Sequence, residues 1–273
     1  MEHWICATCG TQYPESEQAP KECPICLDQR QYIGHQGQKW TTLTAMQTEG
    51  YHNVFKEHEP GLIGIGTEPS FAIGQRALLV QTEQGNILWD CITLFDEETR
   101  REIERLGGLR AIAISHPHYY SAMVEWARAF DVPVYLHEDD KQWVSRPDEH
   151  LRFWSGETLQ LTDDVTVQRL GGHYPGSSVL HWSKGAEGKG VLLTGDTISV
   201  VADRNWVTFM YSYPNSIPLP AATVRSIAET AVRYPFERLY AAWFQTIVPR
   251  DARNAVIRSA DRYVRALEGH FPA

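Results

Sequence analysis

The chain has 273 residues, 42% apolar, 11% aromatic and 22% charged, which is the composition of a folded globular protein and excludes intrinsic disorder. Twenty-five Lys and Arg against 34 Asp and Glu give a net charge of −9, which argues against holding nucleic acid by bulk charge. The mean hydropathy is −0.36, and no run approaches the roughly 18 apolar residues of a membrane span. Met1-Glu2-His3-Trp4-Ile5-Cys6 lacks the basic start and apolar stretch of a secretion signal, so the expected location is the cytoplasm.

The N-terminus opens with two C-x-x-C pairs, Cys6/Cys9 and Cys23/Cys26, separated by 13 residues. In a reducing compartment such spacing points to a metal, because each turn aims two thiolates at one ion and two turns complete a tetrahedral shell. Gly10 allows the tight backbone around the first pair and Pro24 stiffens the second. So short a segment builds little core, and the metal has to hold it together. The expectation is a rubredoxin-like or zinc-ribbon knuckle over residues 1–35, structural or a docking element for a protein partner, followed by one domain over 36–273. Zinc is favoured because a structural site needs no redox partner, with iron the alternative that accepts the same four thiolates. The fifth cysteine, Cys91, follows Trp89-Asp90 in an apolar run and reads as a small buried hydrophobe.

Residues 40–60 carry no clear pattern. Gly61–Gly66 suggests a strand with turns, and Arg76–Gln81 with Asn86–Trp89 suggests a hairpin. Asp96–Leu106 reads as an amphipathic helix ended by Gly107-Gly108. Arg110–Ser115 reads as a buried strand, Ser121–Phe130 as a helix and Val132–Leu136 as a strand. Later strands are expected at Val165–Leu170, Val179–Trp182 and Gly190–Thr194. The Pro- and Tyr-rich stretch 211–220 reads as an ordered loop, and helices are expected at Ala221–Arg233 and Asp251–Leu267. The alternation suggests two similar halves, each a sheet with helices outside.

Three of the eleven histidines stand where a strand ends. His116 and His118 follow Ala-Ile-Ala-Ile as Ser-His-Pro-His, and alternate residues of an extended segment share one side. His173 lies in Gly-Gly-His-Tyr-Pro-Gly-Ser, just past another strand, and Asp196 ends a third in Leu-Thr-Gly-Asp-Thr. Three neutral imidazoles and one carboxylate make a complete shell for an ion such as Zn²⁺. His137, at a further strand end, reads as structural or supporting, and His181 as packed.

These motifs together resemble the metallo-β-lactamase superfamily. Ala77-Leu78-Leu79-Val80 and Ile87-Leu88-Trp89-Asp90 resemble its opening hairpin, and Ser115-His116-Pro117-His118 resembles the first half of His-x-His-x-Asp-His. The segments 171–177 and 193–197 resemble the two later motifs. The resemblance implies an αββα four-layer sandwich over about residues 60–265. It implies a first metal on His116, His118 and His173, with Asp196 bridging to a second. The pattern departs where Asp and His would follow, because Tyr120 and Ser121 stand there, and Tyr240–Gln245 holds no histidine. One ion at this group is therefore expected, giving two zinc ions per chain with the ribbon. Asp196 and Tyr120 are the expected catalytic residues, Tyr120 steadying developing negative charge. The implied function is a mononuclear hydrolase of a small ester, thioester or related acyl substrate. The alternative is a catalytically silent binding or scaffold protein that docks through the ribbon, with Trp243 and Phe244 filling the lost metal space.

Overall fold

The computed structural model describes residues 1–271, which form two compact units, Met1–Trp154 and a second beginning at Ser155. No helix among the described residues is long and apolar enough to cross a membrane.

The first unit begins with strands β1 (Glu2–Cys6) and β2 (Gln12–Ser16) and the single-turn helix α1 (Pro24–Leu27). The chain then returns as β3 (Trp40–Thr41), and the three strands form a small sheet in the order β2-β1-β3. Helix α2 (Leu43–Thr48) is capped by Thr42, whose side chain accepts from the Ala45 N–H. A seven-stranded sheet follows from β4 (His52–Glu59), β5 (Leu62–Glu68), β6 (Ala77–Val80), β7 (Ile87–Trp89), β8 (Ala111–Ala113), β9 (Val134–His137) and β10 (Leu151–Trp154). Its order is the reverse of the sequence, β10-β9-β8-β7-β6-β5-β4. Strands β4 to β7 pair antiparallel in sequence order, whereas β7, β8, β9 and β10 run parallel. Parallel neighbours need crossovers, which helix α3 (Glu97–Arg105) supplies from β7 to β8, helix α4 (Met123–Phe130) from β8 to β9, and the 3₁₀ segment Glu138–Trp143 from β9 to β10. Asp96 caps α3 by accepting from the Thr99 N–H at 2.8 Å, and Gly107 leaves it at φ +108°, as the sequence implies. Strands β6 to β8 are buried on both faces, which is why they read as unbroken apolar runs.

The second unit carries a six-stranded sheet ordered β11-β12-β13-β14-β19-β20. Its strands are β11 (Thr158–Thr162), β12 (Val165–Arg169), β13 (Ser178–Trp182), β14 (Val191–Leu193), β19 (Arg238–Tyr240) and β20 (Ile247–Val248). The short turn α5 (Gly185–Gly188) links β13 to β14. Two-stranded ribbons lie between, β15 (Ser199–Val200) with β16 (Val207–Thr208), and β17 (Met210–Ser212) with β18 (Ile217–Pro218). The stretch 211–220, expected as a loop, thus folds back on itself as a small hairpin.

Helices α6 (Ala221–Ala231) and α7 (Ala252–Leu267) bury one stripe each. In α7 the buried positions Ala252, Ala255, Val256, Ser259, Ala260 and Val264 recur at helical spacing. They share one core with Val224, Ile227, Leu192 and Leu239. Each fully buried aliphatic side chain there contributes roughly 1.5–3 kcal/mol. The loops that carry Asp90, His116, His118, His173 and Asp196 leave the carboxyl ends of β7, β8, β12 and β14.

Candidate metal centres

The four cysteines of the ribbon meet. Cys6 Sγ lies 3.6 Å from Cys26 Sγ, and Cys9 Sγ lies 3.6 Å from Cys23 Sγ. A sulfur tetrahedron with Zn–S bonds of ~2.3 Å has edges of about 3.8 Å, so the spacing fits a bound ion. It is far too long for disulfides, and all five cysteines are free thiols. All four are buried, and their sulfurs lie within 4.8 Å of one another. The Tyr13 hydroxyl donates to Cys23 Sγ at 3.1 Å, and Gln38 Nε2 donates to Cys6 Sγ at 3.1 Å. Cys9 is held well above the usual thiol value by the hydrogen bonds it shares with Cys23, Cys26 and Cys6. Four thiolates gathered this tightly repel one another unless a cation neutralises them. Gly10, at φ +81°, closes the first turn by donating its N–H to Cys6 O at 2.8 Å.

The second group comes from strand ends. His116 and His118 bracket a single 3₁₀ turn, Pro117–Tyr119, just beyond β8. Asp90, at φ +60° after β7, accepts from the Ser115 N–H at 2.8 Å and so fixes the entrance to this turn. Ser115 Oγ hydrogen-bonds His116 Nδ1 at 3.0 Å, which leaves Nε2 as the ligating nitrogen.

His173 is wholly buried, and its Nδ1 lies 3.1 Å from Met210 O. A carbonyl only accepts, so Nδ1 carries the proton and Nε2 keeps a lone pair, the arrangement that orients metal-binding histidines. His173 Nε2 lies 3.8 Å from Asp196 Oδ1, near the ~3.4 Å edge of a tetrahedron with bonds of ~2.1 Å. Gly172 sets this loop at φ +85°, a conformation that favours glycine, and a Cβ there would meet Ile227 Cδ1 at 2.6 Å. One nitrogen from each of His116, His118 and His173 and one carboxylate oxygen of Asp196 lie within 4.8 Å of one another, and all four residues are buried. The donor set and spacing fit a divalent ion such as zinc.

The neighbouring positions account for the departures from the family pattern. The Tyr120 side chain is buried, and its hydroxyl donates to Asp140 O at 3.3 Å. Ser121 adopts φ +42°; its hydroxyl donates to Cys91 O at 3.3 Å and accepts from Gln75 Nε2 at 3.1 Å. Cys91 is fully buried, and burial pushes its thiol well above the usual value, so it is an inert part of the core. His137 packs its ring edge-on against Trp154 at 4.5 Å, and its Nδ1 accepts from the Asp139 N–H. His181 donates Nε2–H to Pro235 O at 2.8 Å and stacks on Tyr234, a packed histidine as read.

Tyr213 escaped the sequence reading. Its hydroxyl donates to the backbone oxygen of Asp196 at 2.7 Å, and its ring lies 6.0 Å from that of His173. Burial, reinforced by the Asp196 charge, pushes its phenol well above the usual value and keeps it a neutral donor. The tyrosines of 211–220 were a signal for the segment, and nothing in the pattern singled out this one.

The sequence model of the metallo-beta-lactamase superfamily matches residues 72–243. The chain belongs to the metallo-β-lactamase superfamily. An uncharacterised protein of Bacillus subtilis (strain 168), YmaE, is 55% identical over 272 residues, covering 99% of each chain. Among solved structures, the DIM-1 metallo-β-lactamase exposed to ceftazidime matches with a TM-score of 0.59 at 14% identity, over 79% of this chain and 98% of that one. The FIM-1 enzyme from Pseudomonas aeruginosa, in its mono-zinc form, matches at 0.55 and 16% identity, over 78% and 96%. The fold is the mixed α/β metallo-β-lactamase fold, with four clustered cysteines near its N-terminus.

Proposed function

We propose that this superfamily member is a mononuclear metal-dependent hydrolase of a small ester, thioester or related acyl substrate. The observation that supports it is the buried grouping of His116, His118, His173 and Asp196. A bound ion, zinc on this reading, supplies Lewis-acid polarisation of a substrate oxygen and makes water a competent nucleophile near neutral pH.

The chain's own residues do the positioning. Met210 O holds His173 with Nε2 exposed to the site, and Asp90, through the Ser115 N–H, holds the turn that carries His116 and His118. Asp196 would hold the ion through one carboxylate oxygen and leave the other to accept a hydrogen bond from the substrate water. Tyr120 steadies the developing oxyanion after exchanging Asp140 O for the substrate. Without Asp and His at positions 120 and 121, a positioned base is missing, which costs roughly 10²–10⁴-fold in rate. Turnover is therefore slow or narrowly specialised.

We further propose residues 1–35 as a structural ribbon carrying its own zinc, with iron as the alternative ion, and 36–273 as the hydrolase domain. The free cysteines suit a reducing compartment, so the cytoplasm is the proposed location. A small molecule, rather than nucleic acid, is the proposed ligand.

The test is a screen of the metal-loaded protein on acyl and thioester panels beside His116→Ala. Turnover well above that control is the expected result. Its absence would favour the silent binding role, which the tying of Ser121 into Gln75 and Cys91 also fits.

A further inference from the structure

Residues 10–13 of the ribbon touch the cysteine cluster at one end and the histidine turn at the other. Gly10, in the first cysteine turn, accepts a hydrogen bond from Thr93 Oγ1 to its carbonyl at 3.0 Å. A Cβ on Gly10 would collide with that same hydroxyl, so the approach depends on glycine. Two residues on, the Gln12 N–H donates to Ser121 O at 3.0 Å. The Gln12 side-chain oxygen accepts from Arg146 Nη1, which also donates to Glu125 Oε1 at 2.5 Å, near the start of the helix that follows the turn. Gln12 and Arg146 are both buried. The next residue, Tyr13, donates to Cys23 Sγ.

The turn they reach closes on its own backbone. Between His116 and Tyr120 it has two backbone bonds, Tyr119 N to His116 O at 3.1 Å and Tyr120 N to Pro117 O at 3.2 Å. Its entrance is set by Asp90, and its exit is Ser121 in the left-handed region, which an L-residue keeps only under outside constraint. The ribbon supplies part of that constraint three residues after His118.

We propose that the metal-loaded ribbon is a positioning element for the His116–His118 turn, with Gln12 as the positioning residue, so that an ion on the cysteines strengthens metal binding at the histidine–aspartate group. The inference rests on the reading of that group as a metal site. By reciprocity, an ion at either group then favours the other.

The test uses full-length protein and cobalt(II) as the probe, since thiolate and imidazole sites give separate absorption bands. Gln12→Leu is expected to weaken cobalt binding at the histidine group by roughly 10–100-fold, the usual effect of losing an outer support. Its thiolate bands should stay unchanged. Gln12→Glu keeps an acceptor for Arg146 and should restore the affinity, which a merely structural role would not require. Cys23→Ser should weaken the histidine group at least as much as Gln12→Leu. Wild-type affinity in both Gln12→Leu and a folded Cys23→Ser would overturn the proposal. Should Cys23→Ser fail to fold, the Gln12 pair decides alone, and wild-type affinity in Gln12→Leu overturns it. If wild-type protein takes up cobalt only on its thiolates, the reading of the histidine group falls and the inference falls with it.

Discussion

The two metal-binding groups are built in opposite ways. The cysteine group draws all its ligands from residues 6–26, on two short turns, and its four sulfurs complete a closed shell. The histidine–aspartate group collects side chains from positions 116 to 196, carried past the ends of three strands, β8, β12 and β14. A local group needs its ion to fold, because so short a segment has little core. A group assembled by strand ends is held by the fold, and its ion is available for chemistry. Ions should accordingly leave the two groups with different consequences.

The strongest break of this contrast is His116→Ala. Metal content should fall by the histidine-group ion, and acyl-substrate turnover should fall to background, while circular dichroism and the ribbon's thiolate bands stay unchanged. Cys23→Ser should do the reverse to structure: limited proteolysis within residues 1–41 should become rapid as the ribbon loses its ion. Gly172→Ala inserts a methyl against Ile227 and Leu219 at a left-handed position. It should cost ~1–3 kcal/mol in denaturant unfolding and loosen the histidine-group ion, because it moves the loop that carries His173.

A smaller effect is expected for Tyr213→Phe, which removes one hydrogen bond to Asp196 O and should cost ~0.5–1.5 kcal/mol in stability. Finally, His58 is lowered to about 4 by burial and by the neighbouring charges of Arg76 and Lys56. The unfolded chain therefore takes up a proton at higher pH than the folded one, so stability is lost as pH falls from about 6.5 towards 4. His58→Gln should flatten the unfolding free energy across that window.

Legibility in the sequence follows the same contrast. The cysteine cluster could be read from spacing because its geometry is local. His116, His118, His173 and Asp196 could be read because each follows an apolar run and closes a strand, and the fold class followed from the family resemblance these motifs carry. Asp90 was visible only as part of the hairpin that carries the resemblance. By contrast, β4 was missed: His52–Glu59 is a charged edge strand, and its polar residues are what keeps an edge from pairing further. β10 was missed because Leu151–Trp154 is four residues long with two of them exposed, and it exists by pairing with β9. Gln12, Gln75 and Arg146 left no trace in the pattern, since they act through a backbone N–H and through partners between 21 and 134 residues away.

Metal analysis of the purified full-length protein and of two variants tests the central claim most directly. Two ions per chain, one lost in His173→Ala and the other in Cys23→Ser, is the predicted result. A single ion that survives His173→Ala and disappears with Cys23→Ser would contradict it.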